Sequence, residues 1–170
     1  ELKSRSDVIV ANRLVDELLR FARSGDLDRR DLRPAHWVRG VVGAMDLPGV
    51  HVVIDDPPAH ATLDAARMGE ALANVIDNAL RYAGRGAEVT VRAVRHGDSA
   101  RLEVSDTGGG IPESIRPRIF ESFLSGRADG TGLGLAIARR IMKDHHGELT
   151  LLNSSPRGTT MRVTLQLSTA

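Results

Sequence analysis

Apolar residues recur at helical spacing near the amino terminus. From Asp7 to Arg23 they alternate at steps of three and four, a pattern typical of an amphipathic helix (Val8, Ala11, Val15, Leu18, Ala22). The pattern ends at Ser24-Gly25-Asp26, and the polar stretch that follows closes at Pro34. We therefore predict a helical segment in residues 1–25, a linker over residues 26–34 and a domain over residues 35–170.

The rest of the chain mixes helical and strand patterns without a regular β-α-β alternation. Helices are predicted over three segments: Ala35–Met45, a long one from the N-cap Asp64 to Ala83, and Gly132–His145 with Gly147 as its stop. Strands are predicted over five: Val50–Ile54, Glu88–Arg95, Arg101–Asp106, Glu148–Asn153 and Thr159–Leu167. This mixture predicts an α+β sandwich with a mixed or antiparallel sheet.

Composition narrows the function classes. The chain has 170 residues with 23 basic and 22 acidic side chains, a formal charge of +1 that excludes a strongly basic nucleic-acid binder. Cysteine is absent, which excludes disulfides, thiolate zinc sites and cysteine nucleophiles. Aromatic residues make up 3% while there are 17 glycines, so the positions of the glycines should be informative.

Polar side chains form a stripe on the long predicted helix. Glu70, Asn74, Asn78 and Arg81 lie about half a turn from its apolar face. Asparagine costs ~0.6 kcal/mol relative to alanine in a helix, so two of them at i, i+4 need a reason. A solvated face is one explanation. The other is a site for hydrated Mg²⁺ and phosphates, since Mg²⁺ prefers oxygen ligands and keeps several waters.

A strand ends at Asp106 and runs directly into Thr107-Gly108-Gly109-Gly110. Glycines here would let the backbone approach a flat ligand closely while Asp106 accepts a hydrogen bond from it. A turn that requires positive φ would use glycine equally well, so both interpretations stay open for this segment.

Alternating glycines also precede the last predicted helix, in Gly130-Thr131-Gly132-Leu133-Gly134. Backbone N–H groups at such a helix start can bind phosphate. The segment follows a loop and lacks the GxGxxG spacing, so it is not the dinucleotide fingerprint. A P-loop is excluded because no lysine occurs between Lys3 and Lys143.

Together these segments resemble the nucleotide motifs of sensor histidine kinases. These kinases belong to the same superfamily as gyrase, the Hsp90 chaperones and the MutL mismatch-repair ATPases. The corresponding residues are Asn74–Ala79 (N box), Asp106–Ile111 (G1 box), Ile119–Phe123 (F box) and Gly130–Ile137 (G2 box). The resemblance spans residues 35–167, and within the family the chain is similar to an osmosensor-like subgroup. It implies the Bergerat ATP-binding fold, a two-layer sandwich of a mixed five-stranded sheet and three helices, here preceded by an amphipathic helix.

The resemblance implies roles for individual residues, with ATP and Mg²⁺ as cofactors. Asn74 would ligate the metal and Asp106 would accept from the adenine amino group. Glu70 stands where some superfamily members position or deprotonate an attacking group, although an ordinary exposed helix glutamate is the alternative. The other implied contacts are Asn78, Arg81, Gly130, Thr131, Gly132 and Gly134 at the phosphates, and Tyr82, Gly108, Gly110, Ile111, Leu133 and Thr160 around the base and ribose.

Residues 12–23 are similar to the second helix of the dimerisation and phosphoacceptor hairpin, which implies a homodimer; packing onto its own domain is the alternative. None of the six histidines has the phosphoacceptor context, so we expect the histidine-bearing helix to precede Glu1 in a longer protein. The chain departs from the family pattern in three places: Arg81 stands where lysine is common, Ser122 where proline is frequent, and the lid over residues 124–129 is short.

The resulting functional prediction is phosphoryl transfer from ATP to a histidine on that helix, and then to an aspartate of a response regulator. We expect the cytoplasmic domain of an inner-membrane sensor kinase, attached through segments outside this chain, with no nucleic-acid partner. Three alternatives stay open: a nucleotide-dependent partner-binding module that transfers no phosphate, an anti-sigma-type protein kinase, and an ATPase clamp. The small size of the domain weakens the last.

Overall fold

A computed structural model describes residues 2–22, 25–125 and 130–167 of the chain. In chain order the elements are α1 (Leu2–Ala22), β1 (Arg30–Leu32), α2 (Pro34–Met45), β2 (Val50–Asp55), β3 (Ala61–Leu63), α3 (Ala65–Ala83), β4 (Val89–His96), β5 (Ser99–Asp106), a 3-10 turn (Arg116–Arg118), α4 (Gly134–Asp144), β6 (Glu148–Ser155) and β7 (Gly158–Gln166). None of the helices in these ranges is long and apolar enough to cross a membrane.

The main sheet has five strands in the order β2-β4-β5-β7-β6. The strands β2 and β4 are parallel and the other pairs are antiparallel, so the sheet is mixed. The helices α2, α3 and α4 pack on one of its faces, where alternate strand residues such as Val91, Val104 and Val163 are buried. The predicted sandwich of five strands and three helices, preceded by an amphipathic helix, is confirmed.

Helix α3 lies at the centre of the helical layer and carries the predicted polar stripe. Its N-cap is Asp64, whose Oδ1 accepts from the backbone N–H groups of Ala66 and Arg67 at 3.1 and 3.0 Å. The helix ends before Gly84, which has a φ of 88°. Its apolar face is buried to less than 2% exposure at Met68, Leu72, Val75 and Ile76. Of the polar stripe, Asn74, Asn78 and Arg81 face the groove described below.

The segment predicted as a linker contains a strand. Arg30–Leu32 pairs with Ala61–Leu63 in an antiparallel two-stranded ladder, and neither strand is expected from the sequence. The backbone N–H of Asp28 also donates to Asp64 Oδ2 at 3.0 Å. Residues 28–32 therefore pack as part of the domain. Strands of three residues escape prediction because they are too short to show an alternation.

Helix α4 is two residues shorter at its start than predicted and ends differently. Its left-handed stop is His146, with a φ of 56°, and not the predicted Gly147. The N–H groups of His146 and Gly147 donate to the carbonyls of Lys143 and Met142 at 2.9 and 2.8 Å, which is the Schellman arrangement. The hydrogen bonds thus close the helix with a non-glycine residue in the left-handed position.

Candidate nucleotide-binding site

Two adjoining cavities form one groove between α3, the loop after β5 and the start of α4. The first, called here the apolar cavity, has a volume of about 250 Å³ and is lined by Asn78, Tyr82, Asp106, Gly110, Ile111, Pro112, Ile115, Ile119, Leu124, Leu135 and Thr159. The second, the polar cavity, has about 70 Å³ and is lined by Asn74, Asp77, Arg81, Ser125, Gly130, Thr131, Gly132, Gly134 and Glu17, together with five residues that it shares with the first. The predicted motifs thus meet at one place.

Asp106 is the one acidic residue among those that line the apolar cavity. Burial raises the pKa of its carboxyl above the ordinary value of 3.8, although hydrogen bonds from the backbone N–H groups of Gly108 and Thr159 oppose the shift. Both bonds go to Oδ1, at 2.9 and 3.3 Å. Oδ2 accepts no hydrogen bond from the described residues, so it can accept one from a ligand.

The loop after β5 is held in place by its own hydrogen bonds. Gly110 has a φ of +79°, and a Cβ there would collide with the backbone oxygen of Ser155, so glycine is required. The N–H of Ile111 donates to Ser154 Oγ at 2.7 Å, and its carbonyl accepts from Arg116 Nε at 2.8 Å. Ile111 therefore presents a fixed apolar surface to the cavity.

Gly108 lies behind the surface of the apolar cavity and contacts Asp106. It is buried but is not among the lining residues, and a Cβ there would collide with Cα of Ala83 at the end of α3. Since its N–H bonds Asp106, this glycine positions the carboxylate and does not itself shape the pocket surface as predicted.

Asn74, Asn78 and Arg81 all line the polar cavity, on the same face of α3. The two asparagines are partly buried, so they do not form the fully solvated face that was the alternative. Arg81 Nε donates to Asp77 Oδ2 at 2.7 Å, and Asp77 belongs to the same lining. Helix α3 therefore supplies two side-chain amides, one guanidinium and one carboxylate to a single cavity.

The glycine-rich loop forms the other side of the polar cavity. Gly132 has a φ of +69°, and a Cβ there would lie 2.6 Å from the backbone nitrogen of Leu124. Phe123 N–H donates to the Gly132 carbonyl at 3.0 Å, which holds the F box against this loop. The N-cap of α4, Leu133, gives no side-chain cap, so N–H groups of the first turn are available to an anion.

Two predicted contacts, Leu133 and Thr160, lie elsewhere. Leu133 is fully buried in the hydrophobic core, and Leu135 lines the cavities in its place. Thr160 Oγ1 lies 2.9 Å from Ser105 Oγ, and its neighbour Thr159 lines the apolar cavity. Because side chains alternate across a strand, Thr159 and Thr160 point to opposite faces of the sheet. In the lining of the groove, Leu135 and Thr159 therefore take the places predicted for Leu133 and Thr160.

Glu70 lies outside both cavities. Its side chain is 18% exposed and lies 3.7 Å from Arg67 on α3 and 4.0 Å from Arg20 on α1. It is therefore neither an exposed glutamate nor a group in contact with the groove. Glu70 thus forms one ion pair within α3 and one with α1, so the predicted catalytic role finds no support in this geometry.

Nine lining residues were absent from the predicted site set, namely Glu17, Asp77, Pro112, Ile115, Ile119, Leu124, Ser125, Leu135 and Thr159. Pro112 and Ile115 follow the G1 box directly, so their proximity to it was a usable signal. Glu17 carries no such signal because it comes from α1. Of the predicted lid, residues 126–129 lie outside the described residues.

Comparisons with known proteins agree with this geometry. Residues 63–169 match the family model for histidine kinase-, DNA gyrase B- and HSP90-like ATPases. The sensor protein KdpD of Escherichia coli K12 is 33% identical over 177 residues, covering 98% of this chain and 20% of KdpD. The sensor protein IrlS of Burkholderia pseudomallei is 37% identical over 150 residues, covering 80% of this chain and 32% of IrlS. The chain thus spans about a fifth to a third of these curated relatives.

Solved structures show the same fold. Full-length ShkA in complex with AMPPNP is 26% identical with a TM-score of 0.82, covering 99% of this chain and 38% of ShkA. The catalytic domain of histidine kinase ThkA is 22% identical with a TM-score of 0.74, covering 83% of this chain and 97% of that domain. The latter likeness is one of fold alone.

The fold, the groove and the family match together define the class of protein. The chain belongs to the family of histidine kinase-, DNA gyrase B- and HSP90-like ATPases. Within that family it is an ATP-binding catalytic domain of the sensor histidine kinase type, as the predicted motifs indicated. The osmosensor-like subgroup stays a prediction.

Proposed function

We propose that this domain binds ATP with Mg²⁺ and transfers the γ-phosphoryl group to a histidine on a dimerisation helix outside residues 1–170. The phosphoryl group then passes to an aspartate of a response regulator. The observation that carries the proposal is the continuity of the groove. A partly buried acceptor carboxylate lies at its apolar end, and amides, a guanidinium and a helix N-terminus lie at its polar end.

The apolar cavity suits the adenine base. A purine is flat and apolar on both faces, and Ile111, Ile115 and Leu135 supply apolar contact area. Its exocyclic amino group is a hydrogen-bond donor, which Asp106 Oδ2 is placed to accept. The complex of ShkA with AMPPNP, an adenine nucleotide, supports this assignment by relationship.

The polar cavity suits the phosphates. Arg81 contributes positive charge, and the first turn of α4 contributes N–H groups. The described residues contain no group of three or more His, Cys, Asp or Glu side chains that could hold a metal by itself. Asn74 and Asn78 nevertheless offer the oxygen donors that Mg²⁺ prefers, so we propose that Asn74 shares the ion with phosphate oxygens and water.

The residues of this chain would act by placement and charge neutralisation. In the reaction, a histidine nitrogen forms a bond to the γ-phosphorus while the bond from that phosphorus to the bridging oxygen of ADP breaks. Arg81 and the N–H groups of the α4 start would hold the phosphates, and Mg²⁺ when bound would neutralise the charge that develops on their oxygens. Asp106 and Ile111 would fix the base, which sets the direction in which the triphosphate extends.

The exposed face of α1 supports the proposed partners. Its apolar side chains Val8, Ile9, Val15 and Leu19 are 53–67% exposed, an area that a second copy would bury in a helical bundle. The proposed response-regulator partner is supported by likeness of fold alone, since ThkA, which has a similar fold, was solved in complex with the response regulator TrrA. The relatives are sensor proteins, and on that ground we also propose a cytoplasmic position in an inner-membrane kinase.

The experiment that tests the nucleotide site is calorimetric titration of ATP with Mg²⁺ and with chelator. We expect Asn74→Ala to lose at least about 10-fold of the Mg²⁺-dependent affinity, in the range that removal of a group acting on a metal costs. Asn153→Ala, which removes an exposed asparagine on β6, is the matched control and should bind as the wild type does. Equal Mg²⁺-dependent binding by both variants would remove the metal assignment.

Phosphoryl transfer is tested with labelled ATP. We expect the chain alone to form no stable phosphohistidine, and label to appear on an added phosphoacceptor hairpin from a related kinase. Self-labelling on a histidine of the chain would contradict the assignment of the acceptor to a helix outside it. ATP binding without transfer to any supplied hairpin would instead favour the partner-binding module.

A further inference from the structure

The carboxylate of Glu17, on α1, lies in the lining of the polar cavity. Thr131, in the glycine-rich loop, donates its hydroxyl proton to Glu17 Oε2. The same Thr131 hydroxyl lies 3.5 Å from the backbone nitrogen of Leu133, at the start of α4. A negatively charged group of the chain itself therefore contacts the loop to which the proposed function assigns the phosphates.

Helix α1 is seated on the domain through one narrow face. Leu14 packs against the hydrophobic core, Glu17 reaches Thr131, and Arg20 Nε lies 4.0 Å from Glu70 Oε1. The spacing i, i+3, i+6 places these three side chains on one side of the helix. The exposed apolar side chains of Val8, Val15 and Leu19 lie on the opposite side of α1, so the seated helix still offers them to a partner.

The charge balance of the polar cavity disfavours an anion while Glu17 is in place. The described lining carries the two carboxylates Glu17 and Asp77 against the one guanidinium of Arg81. Arg81 is already paired with Asp77 at 2.7 Å, which reduces the positive charge available to phosphate. A like charge at close range in a partly buried site is repulsive. Removal of Glu17 would leave the pair of Asp77 and Arg81, and it would leave the Thr131 hydroxyl to donate to a phosphate oxygen.

We propose that Glu17 is an affinity-determining residue that competes with the nucleotide phosphates for the hydroxyl of Thr131. The inference rests on the proposed function, since it concerns regulation of the same site. Nucleotide binding then requires Glu17 to leave, so ATP and seated α1 exclude one another. By thermodynamic reciprocity, any partner that draws α1 away from the domain raises the affinity for ATP by the factor by which ATP favours its release.

The opposite role for Glu17 makes the opposite prediction. A carboxylate near Asn74 could serve as a second ligand to Mg²⁺, in which case its removal would weaken Mg²⁺-dependent binding. The contact with a hydroxyl donor of the phosphate loop favours competition, because a carboxylate that accepts from Thr131 occupies the donor that a phosphate oxygen would use.

The experiment measures Kd for Mg²⁺-ATP by calorimetry for the wild type, Glu17→Gln and Glu148→Gln. Glu17→Gln removes the charge and keeps the side-chain size. Glu148→Gln makes the same substitution at an exposed position on β6, outside both cavities, and is the control. We expect Glu17→Gln to bind at least about 5-fold more tightly than the wild type, the lower end of typical coupling between sites. The control should stay within about 2-fold, as exposed charges usually do.

Hydrogen exchange of α1 provides a readout that a merely structural role would not change. Addition of Mg²⁺-ATP should speed amide exchange in residues 8–22 of the wild type, because the seated helix is released. Equal affinity of Glu17→Gln and the wild type, or weaker binding by the variant, overturns the inference. In that case binding by the wild type and Glu148→Gln shows that the proposed function stands. Absence of binding by all three proteins overturns both.

Discussion

The two ends of the groove are built in different ways. At the apolar end, Asp106 and Ile111 are fixed by hydrogen bonds to neighbouring backbone and side chains, with Ser154 and Arg116 holding both polar groups of Ile111. At the polar end, the lining comes from side chains of α3, from a loop, and from Glu17 on a helix seated by few contacts. The lining of the apolar end comes entirely from the domain, whereas the lining of the polar end includes a side chain of α1.

This difference suggests separate tasks for the two ends of the groove: recognition of the base at the apolar end and control of phosphate binding at the polar end. On the proposed assignment the apolar cavity holds the base, and a preorganised pocket loses little freedom when a ligand binds. The polar cavity would hold the phosphates, and the release of Glu17 would change that cavity without disturbing the apolar one. Three further predictions test this contrast, from the largest expected effect to the smallest.

Asp106→Asn should have the largest effect, because it places an amide donor or a neutral oxygen where adenine needs an anionic acceptor. We expect ATP affinity to fall about 10- to 100-fold, as for the loss of ~1.5 to 3 kcal/mol from a hydrogen bond to a charged group. Since burial raises the pKa of Asp106, its ionised form is disfavoured in the fold. The melting temperature should therefore stay unchanged or rise.

The control for this prediction is Glu103→Gln on the same strand. Glu103 pairs with Arg162 at 2.6 Å and lines neither cavity. Its replacement should leave ATP affinity unchanged in the same titration. An Asp106→Asn protein that binds ATP as tightly as Glu103→Gln does would show that the base does not sit in the apolar cavity.

His145 should give a pH dependence of stability at the far end of α4. Burial lowers the pKa of its imidazole below 6.5, and Nε2 accepts from the backbone N–H of Asp64 at 3.1 Å while Nδ1 faces the Ile141 carbonyl at 2.9 Å. Below pH 6.5 the unfolded chain holds more protons at this residue than the folded chain. The free energy of unfolding should therefore fall as the pH drops from 6.5 toward the lowered pKa.

The measurement is the melting temperature between about pH 7.5 and about pH 5.5, the range where an ordinary histidine gains its proton. His145→Gln, which cannot titrate, should show a shallower fall than the wild type. His36→Gln, at an exposed position on α2, should follow the wild-type curve. Parallel curves for all three proteins would contradict the assignment to His145.

Thr160→Val should have the smallest effect. Because Thr160 faces away from the groove and contacts Ser105, its replacement should change ATP affinity by less than about 2-fold, within the ±0.5 kcal/mol usual for such sites. Thr159→Val is the contrasting variant and should weaken binding more, since Thr159 lines the apolar cavity. A larger loss from Thr160→Val would reverse the assignment of the two faces of β7.

Much of the fold could be predicted because its signals are local. The long helix α3 has an N-cap, an apolar face and a glycine stop, and all three occur in the structure at the predicted residues. The five strands of the main sheet were likewise marked by apolar alternation and turns. The three-residue strands β1 and β3 carry no such periodicity, and only their mutual pairing makes them strands.

The site shows the same division. Asn74 and Asn78 could be singled out because asparagine is unfavourable inside a helix. The roles of Arg81 and Asp106 followed from the resemblance of their motifs to those of sensor histidine kinases, and both residues line the groove. The difference between Thr159 and Thr160 depends on the register of β7, in which a shift of one residue exchanges the two faces. A sequence pattern with two adjacent threonines cannot decide that register.

The sequence by itself determined the α+β class and the order of the motifs, because helix caps, glycine turns and periodicity act over a few residues. Its resemblance to sensor histidine kinases supplied the candidate nucleotide contacts. Only the tertiary structure decided that Glu70 pairs with arginines, that Leu135 replaces Leu133, and that Glu17 reaches Thr131. These outcomes depend on which surfaces meet across long sequence separations, and no local pattern along the chain encodes such a meeting.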